Sequence, residues 1–182
     1  MIKVLIVDDQ ALIREGLSLM LSLYDEIQIV GQATNGEEAL NFLKKEKADV
    51  ILMDIRMPIM DGVEATKLIK DSYPNVKIII LTTFNEDEYI LKGLKNGADG
   101  YILKDISSKE LVDTIKSVHN GNMMFHGDVA KTLASAVVDK KNAKKEEIFN
   151  SLTARELEIA KLIGQGKSNK EISQILYITE GT

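Results

Sequence analysis

Short apolar runs alternate with helix-like segments along the first two thirds of the chain. The runs are "KVLIVDD", "IQIVGQA", "DVILMDI", "VKIIILTTF" and "GYILKD". The first, third and fourth are nearly continuous Val, Ile and Leu, the pattern of strands covered on both faces of a parallel sheet. Between the runs, residues 12–23, 36–46, 62–72, 86–96 and 107–120 repeat their apolar positions at helical spacing. In the first helix, Leu12, Ile13, Gly16, Leu17, Met20 and Leu21 share one face. In the last, Ser107 or Ser108 caps, Glu110 lies in the first turn, and Leu111, Ile115 and Val118 face one way. Five strand–helix units in about 120 residues predict a three-layer α/β domain with right-handed crossovers.

The pattern then changes. Gly121 and Asn122 suit a helix end, and "FHGDVAKTLASAVV" predicts a short helix over about 127–137. "DKKNAKKEEIFNS" is lysine-rich and weakly apolar, and reads as a linker or a frayed helix extension. From Leu152 helical spacing returns. Thr153 with Glu156 forms a capping box for one helix, and Gly164 and Gly166 break it. Ser168 or Asn169 caps a second, with Ile172, Ile175 and Leu176 on one face, and Thr179 offers the cap of a third. The expected organisation is a domain over 1–121, a linker with a short helix over 122–147, and a partial all-α domain over 148–182.

Composition narrows the chemistry. With no Cys, disulfides, thiolate metal sites and cysteine nucleophiles are excluded. No apolar run is long enough to span a bilayer, and "MIKVLIVDD" enters a strand directly, so the expected setting is the cytoplasm. The net charge of -5 is uneven: residues 1–139 carry 15 Lys/Arg against 22 Asp/Glu, whereas 140–182 carry 8 against 6. An acidic front and a mildly basic rear point to two units with different partners.

The strand ends carry the candidate chemistry, because open parallel sheets bind ligands beyond the carboxyl ends of their strands. Strand one ends in Asp8 and Asp9, strand three in Asp54, strand four in Thr82 and Thr83, and strand five in Lys104. Adjacent carboxylates repel unless a cation offsets them. Oxygen donors without His or Cys suit a hard cation such as Mg2+. A carboxylate can also attack phosphorus and form an aspartyl phosphate. Asp8 and Asp9 are therefore expected to hold the metal, Asp54 to attack, Lys104 to bind a phosphoryl oxygen and Thr82 to donate a hydrogen bond to it. Taken singly, each residue has a plainer role: Asp8 and Asp9 as helix caps, Asp54 as a turn residue, Thr82 as a strand residue, Lys104 as a surface lysine. Gly62, Gly97 and Gly100 read as turn glycines, and His119 and His126 as surface or linker residues.

"VDD" at 7–9, "MDIRMPIMDG" at 53–62, "LTTF" at 81–84 and "YILKD" at 101–105 resemble the receiver domain of two-component response regulators, in order over residues 2–120. "LTARELEIAKLIGQGKSNKEISQILYITEGT" resembles the start of a LuxR-type helix-turn-helix domain, which places the chain with the NarL/FixJ group. The resemblance implies a flavodoxin-like, doubly wound sheet of five parallel strands. It implies that Asp54 accepts phosphate from a histidine kinase, with Mg2+ held by Asp8 or Asp9, Asp54 and the backbone carbonyl of Arg56. Thr82 and Tyr101 would link phosphorylation to a surface change, with the Tyr101 ring swinging inward, and the protein would dimerise and regulate transcription. Beyond accepting and losing its own phosphoryl group, it would not be an enzyme. Arg56 and Phe84 would influence hydrolysis of the acyl phosphate. Where many receivers have Pro after the lysine this chain has Asp105, so a trans bond is expected. The recognition helix would begin near Thr179 and continue past the last residue, so none of the residues present is expected to read DNA bases.

Two other classes fit less well. A haloacid-dehalogenase-type phosphatase or phosphotransferase needs a second Asp two residues after the nucleophile, and position 56 is Arg. A flavin carrier on this fold needs a Ser/Thr/Gly-rich loop after strand one, where "DDQALIREG" places anions.

Overall fold

The computed structural model describes residues 1–83 and 87–125, together with 161, 162, 165, 171, 174 and 175. The chain forms two compact units, Met1–Ala134 and Ser135–Thr182. The first is built from β1 (Ile2–Val7), α1 (Ala11–Leu21), β2 (Ile27–Ala33), α2 (Gly36–Leu43), β3 (Val50–Met53), α3 (Gly62–Ser72), β4 (Lys77–Thr82), α4 (Asp87–Lys95), β5 (Gly100–Leu103), α5 (Ser108–His119) and β6 (Met124–Phe125). In the second, Lys161, Leu162, Glu171, Gln174 and Ile175 are helical; the rest of the expected helix pair, and the helix expected over 127–137, lie outside the described residues.

The strands form one parallel sheet in the order β2-β1-β3-β4-β5-β6. Side chains alternate between its faces with period two. Val4, Ile6, Val50, Leu52, Ile79, Leu81 and Ile102 pack with Leu111, Ile115 and Val118 of α5, joined by Leu17 and Met20 of α1. Leu5, Val7, Ile51, Met53 and Ile78 pack on the other face against Ala39 and Leu43 of α2 and Ala65 and Ile69 of α3. Ile80 and Tyr101 extend that face beneath α4.

Caps set the helix starts. Asn35 accepts from Glu38 N at 3.0 Å, Asp61 accepts from Glu64 N at 2.8 Å, and Ser107 forms a reciprocal box with Glu110. Among the described residues no helix is long and apolar enough to cross a membrane.

Three expectations are corrected. The sheet has a sixth strand, Met124–Phe125 beside Gly100–Tyr101; two residues are too short to show a period, so sequence reads them as linker. Gly100 is a strand residue rather than a turn glycine, tightly placed against Met124 O, Val118 and Ile79. The apolar face of α1 is divided: Leu17, Met20 and Leu21 pack inward, while Leu12 and Gly16 stay exposed.

Candidate phosphoryl-acceptor site

Strand register assembles the acidic cluster. Val7 pairs with Met53 across β1 and β3, so the next residues, Asp8 and Asp54, emerge side by side; Asp54 N donates to Val7 O at 2.8 Å. Oxygens of Asp8, Asp9 and Asp54 lie within 4.8 Å of one another. Asp8 and Asp54 are 2% and 7% exposed, and Asp9 faces solvent. Lys104, one residue beyond β5, reaches back over the strand ends. Its Nζ lies 2.6 Å from Asp8 Oδ2 and 3.2 Å from Asp54 Oδ1.

The first loop is fixed from two directions. Asp8 Oδ1 accepts from Gln10 N at 2.9 Å, and the Asp8 carbonyl accepts from Arg14 Nη1 at 2.7 Å. The residue preceding α1 is Gln10, which makes no side-chain cap, so neither aspartate serves as the N-cap. Burial pushes the Asp54 carboxyl above its ordinary range; the Lys104 ammonium pulls it down and the Asp8 carboxylate pushes it up.

The loop after β3 is tightly folded around the Asp54 backbone. Met60 N donates to Pro58 O at 2.8 Å, closing a γ-turn in which exposed Ile59 adopts φ +71°. A β-branched side chain is strained there. Gly62 N then bonds Ile55 O at 2.9 Å. A Cβ on Gly62 would lie 1.9 Å from the Asp54 carbonyl oxygen. Gly62 is thus the first residue of α3 rather than a turn glycine, and its missing side chain lets the helix close on the acceptor. Gly62→Ala is expected to lower stability by about 1–3 kcal/mol, the usual range for overpacking, and to displace Asp54. Thermal unfolding of the variant checks this, and an unchanged midpoint would show that the loop absorbs the methyl group.

Of the residues expected at the site, the structure brings Asp8, Asp9, Asp54 and Lys104 together. Thr82 ends β4 opposite Leu103; its side chain and Phe84 lie outside what the structure describes. The Lys104–Asp105 bond is trans. Tyr101 is 0% exposed and packs with Ile55, Val63, Ile80 and Ala98. The ring lies in the core, the inward position, where its large apolar surface is withdrawn from water. The Arg56 side chain is exposed, with its guanidinium carbon 5.7 Å from the centroid of the Tyr89 ring. Sequence reasoning missed Arg14, Gly62 and Tyr89. Asp61, a good capping residue immediately before Gly62, was the available signal for that glycine; the other two act through tertiary contacts alone.

The "Response regulator receiver domain" family matches residues 4–116, and "Bacterial regulatory proteins, luxR family" matches residues 150–182. The chain belongs to the two-component response regulators. It is 42% identical to the transcriptional regulatory protein LnrK of Bacillus subtilis, over all of this chain and 86% of that one. It is 40% identical to the response regulator protein VraR of Staphylococcus aureus, over 98% of this chain and 83% of that one. The solved response regulator ChrA of a heme-sensing two-component system superposes with a TM-score of 0.63 at 31% identity, covering 98% of this chain and 83% of that one. As a response regulator with a receiver and a LuxR-type DNA-binding domain, the chain is a transcription regulator by family and not a classical enzyme. That architecture implies a kinase partner upstream and DNA downstream.

Proposed function

We propose that Asp54 accepts a phosphoryl group from a sensor histidine kinase and that this controls dimerisation and DNA binding. The observation that supports the reading is that oxygens of three carboxylates lie within 4.8 Å of one another at the strand ends, with the Lys104 ammonium 2.6 Å from Asp8 and 3.2 Å from Asp54. An all-oxygen donor set fits Mg2+, and Asp8, Asp9, Asp54 and the Arg56 carbonyl would hold it. When bound, the ion would neutralise charge on the transferring phosphoryl oxygens.

The chain's own residues do the rest. An Asp54 oxygen forms the new P–O bond while the P–N bond to the kinase histidine breaks and its electron pair stays on the imidazole. Lys104 already contacts Asp54, so its ammonium can pair with the phosphoryl oxygens as they arrive. Thr82, at the end of the neighbouring β4, supplies a hydroxyl for the same group. The added charge then shifts the surface around Thr82 and the buried Tyr101 and favours a dimer, which presents two helix-turn-helix units to a two-fold-related DNA site. We assign the receiver to 1–121, the linker to 122–147 and the DNA-binding part to 148–182, and place the protein in the cytoplasm. Loss of the chain's own phosphoryl group completes the cycle.

Incubation with acetyl phosphate and Mg2+ is expected to add one phosphoryl mass, mapped to Asp54 and absent after chelation. The attacking form is the carboxylate, and burial raises its pKa. Labelling should therefore slow as pH falls and Asp54 takes up a proton, with bound Mg2+ holding that loss to lower pH. A label on another residue, or labelling indifferent to chelation, would overturn the assignment.

A further inference from the structure

An oxygen of the Asp9 carboxylate lies within 4.8 Å of oxygens from Asp8 and Asp54, yet Asp9 faces solvent. Among the described residues no hydrogen bond or ion pair holds that carboxylate. Like charges repel, so its place in the cluster depends on the backbone that carries it. That backbone is tied down. Asp8 N donates to Ala33 O at 3.1 Å, and Arg14 Nη1 donates to the Asp8 carbonyl at 2.7 Å. The carbonyl shares a rigid plane with the Asp9 N–H and Cα, so holding the oxygen sets the direction in which Asp9 starts. Arg14 is half-buried near the start of α1. A helix dipole favours anions at that end, so it gives no reason for an arginine there. The Arg14 charge also reaches α2. The hydrogen bond from Thr34 N at 2.8 Å and, more weakly, the Arg14 charge hold the Glu38 carboxyl below its ordinary range. Thr34 follows Ala33, the acceptor of the Asp8 N–H, so the contacts close a ring from Asp8 through Thr34, Glu38 and Arg14 back to Asp8.

We propose that Arg14 is a positioning residue for the cation side of the site: its hydrogen bond to the Asp8 carbonyl holds the Asp8–Asp9 peptide so that Asp9 is aimed at Asp8 and Asp54. This rests on the reading of those three residues as the Mg2+ side of the phosphoryl acceptor. The effect of removing Arg14 has a sign that separates placement from charge. A cation repels a cation, so losing the guanidinium as a charge alone would tighten Mg2+ binding. Losing it as a support lets Asp9 turn away from its neighbours and weakens Mg2+ binding. Removing a group that orients a metal ligand typically costs about 10- to 100-fold in affinity. The charge effect of a half-exposed arginine is damped by salt, so the loss of placement outweighs it.

The test is calorimetric titration of Mg2+ into the full chain, with melting temperature against Mg2+ concentration as a second measure of the same affinity. Arg14→Met keeps an apolar stem without charge or donor, and is expected to bind Mg2+ about tenfold more weakly than wild type. Labelling by acetyl phosphate should then need correspondingly more Mg2+ and recover most of its rate once Mg2+ saturates. Unchanged or tighter Mg2+ binding by Arg14→Met would overturn the role while leaving Asp54 as the acceptor. A merely structural arginine gives that result, with a melting temperature lowered equally with and without Mg2+. Should Arg14→Met fail to fold, Arg14→Lys decides instead. It keeps the charge but not the planar fork of donors, so weaker Mg2+ binding upholds the role and wild-type affinity overturns it. A wild-type chain that binds no Mg2+ would overturn both the role and the cation site beneath it. A wild-type chain that binds Mg2+ but takes no label at Asp54 would overturn the acceptor reading alone.

Discussion

Asp54→Asn is expected to abolish phosphoryl labelling and, in metal-free buffer at neutral pH, to make the protein more stable. The loss follows from chemistry: the amide is a far weaker nucleophile toward phosphorus than the carboxylate. The gain in stability follows from burial. Asp54 is 7% exposed, close to the carboxylates of Asp8 and Asp9, and has a raised pKa. A raised carboxyl pKa means that the native state holds its proton more tightly than the unfolded state. Ionisation therefore costs stability, and the cost develops as pH rises from 3.8 through the raised value. Asn removes that cost and leaves Lys104 paired with Asp8 at 2.6 Å. A gain of the order of 1 kcal/mol would raise the melting temperature by a few degrees. The advantage should vanish below about pH 4, where Asp54 is protonated in both states. An Asn variant less stable than wild type at pH 7 would show that Asp54 is ordinary structural glue.

Much of this site was legible because strand pairing converts sequence position into proximity. Once "VLIV" and "VILM" are read as neighbouring parallel strands, the acids that follow them must meet, and the register of Val7 with Met53 brings them together. The capping pattern of Ser107 and Glu110 was equally readable, being local. What sequence did not show depends on tertiary placement. The packing of the Tyr101 ring against Ile80 and Ala98 is one such placement. Gly62 was read as a turn residue because the carbonyl its side chain would strike belongs to Asp54, eight positions earlier. β6 was too short to carry a period, and it forms because β5 offers an open edge. Nothing in the spacing of Arg56 and Tyr89 suggests contact; the adjacency of β3 and β4 creates it.

Lys104→Met should act in the opposite direction from Asp54→Asn, although both substitutions break the same ion pair. Met nearly preserves length and apolar packing but removes the ammonium that lies 2.6 Å from Asp8 and 3.2 Å from Asp54. Two buried carboxylates then face each other with no counter-charge between them. Removing one partner of a buried pair typically costs about 3–5 kcal/mol, because it leaves uncompensated charge rather than because the pair itself was worth that much. The deficit should shrink as pH falls, since protonation removes the repulsion, and it should shrink when Mg2+ is added. Binding to the native state alone adds stability as the ion concentration exceeds its dissociation constant. The ion should bind the Met variant more tightly than wild type, because it no longer competes with an ammonium for Asp8 Oδ2 and Asp54 Oδ1. Adding Asp54→Asn to Lys104→Met should recover much of the loss, giving a strongly non-additive cycle, as expected for groups in one network. Melting curves of the four proteins with and without Mg2+ decide it. Should Lys104→Met melt with wild type at neutral pH in chelator, the ammonium would not be what holds these carboxylates together, and its assignment as the phosphoryl partner would fail as well.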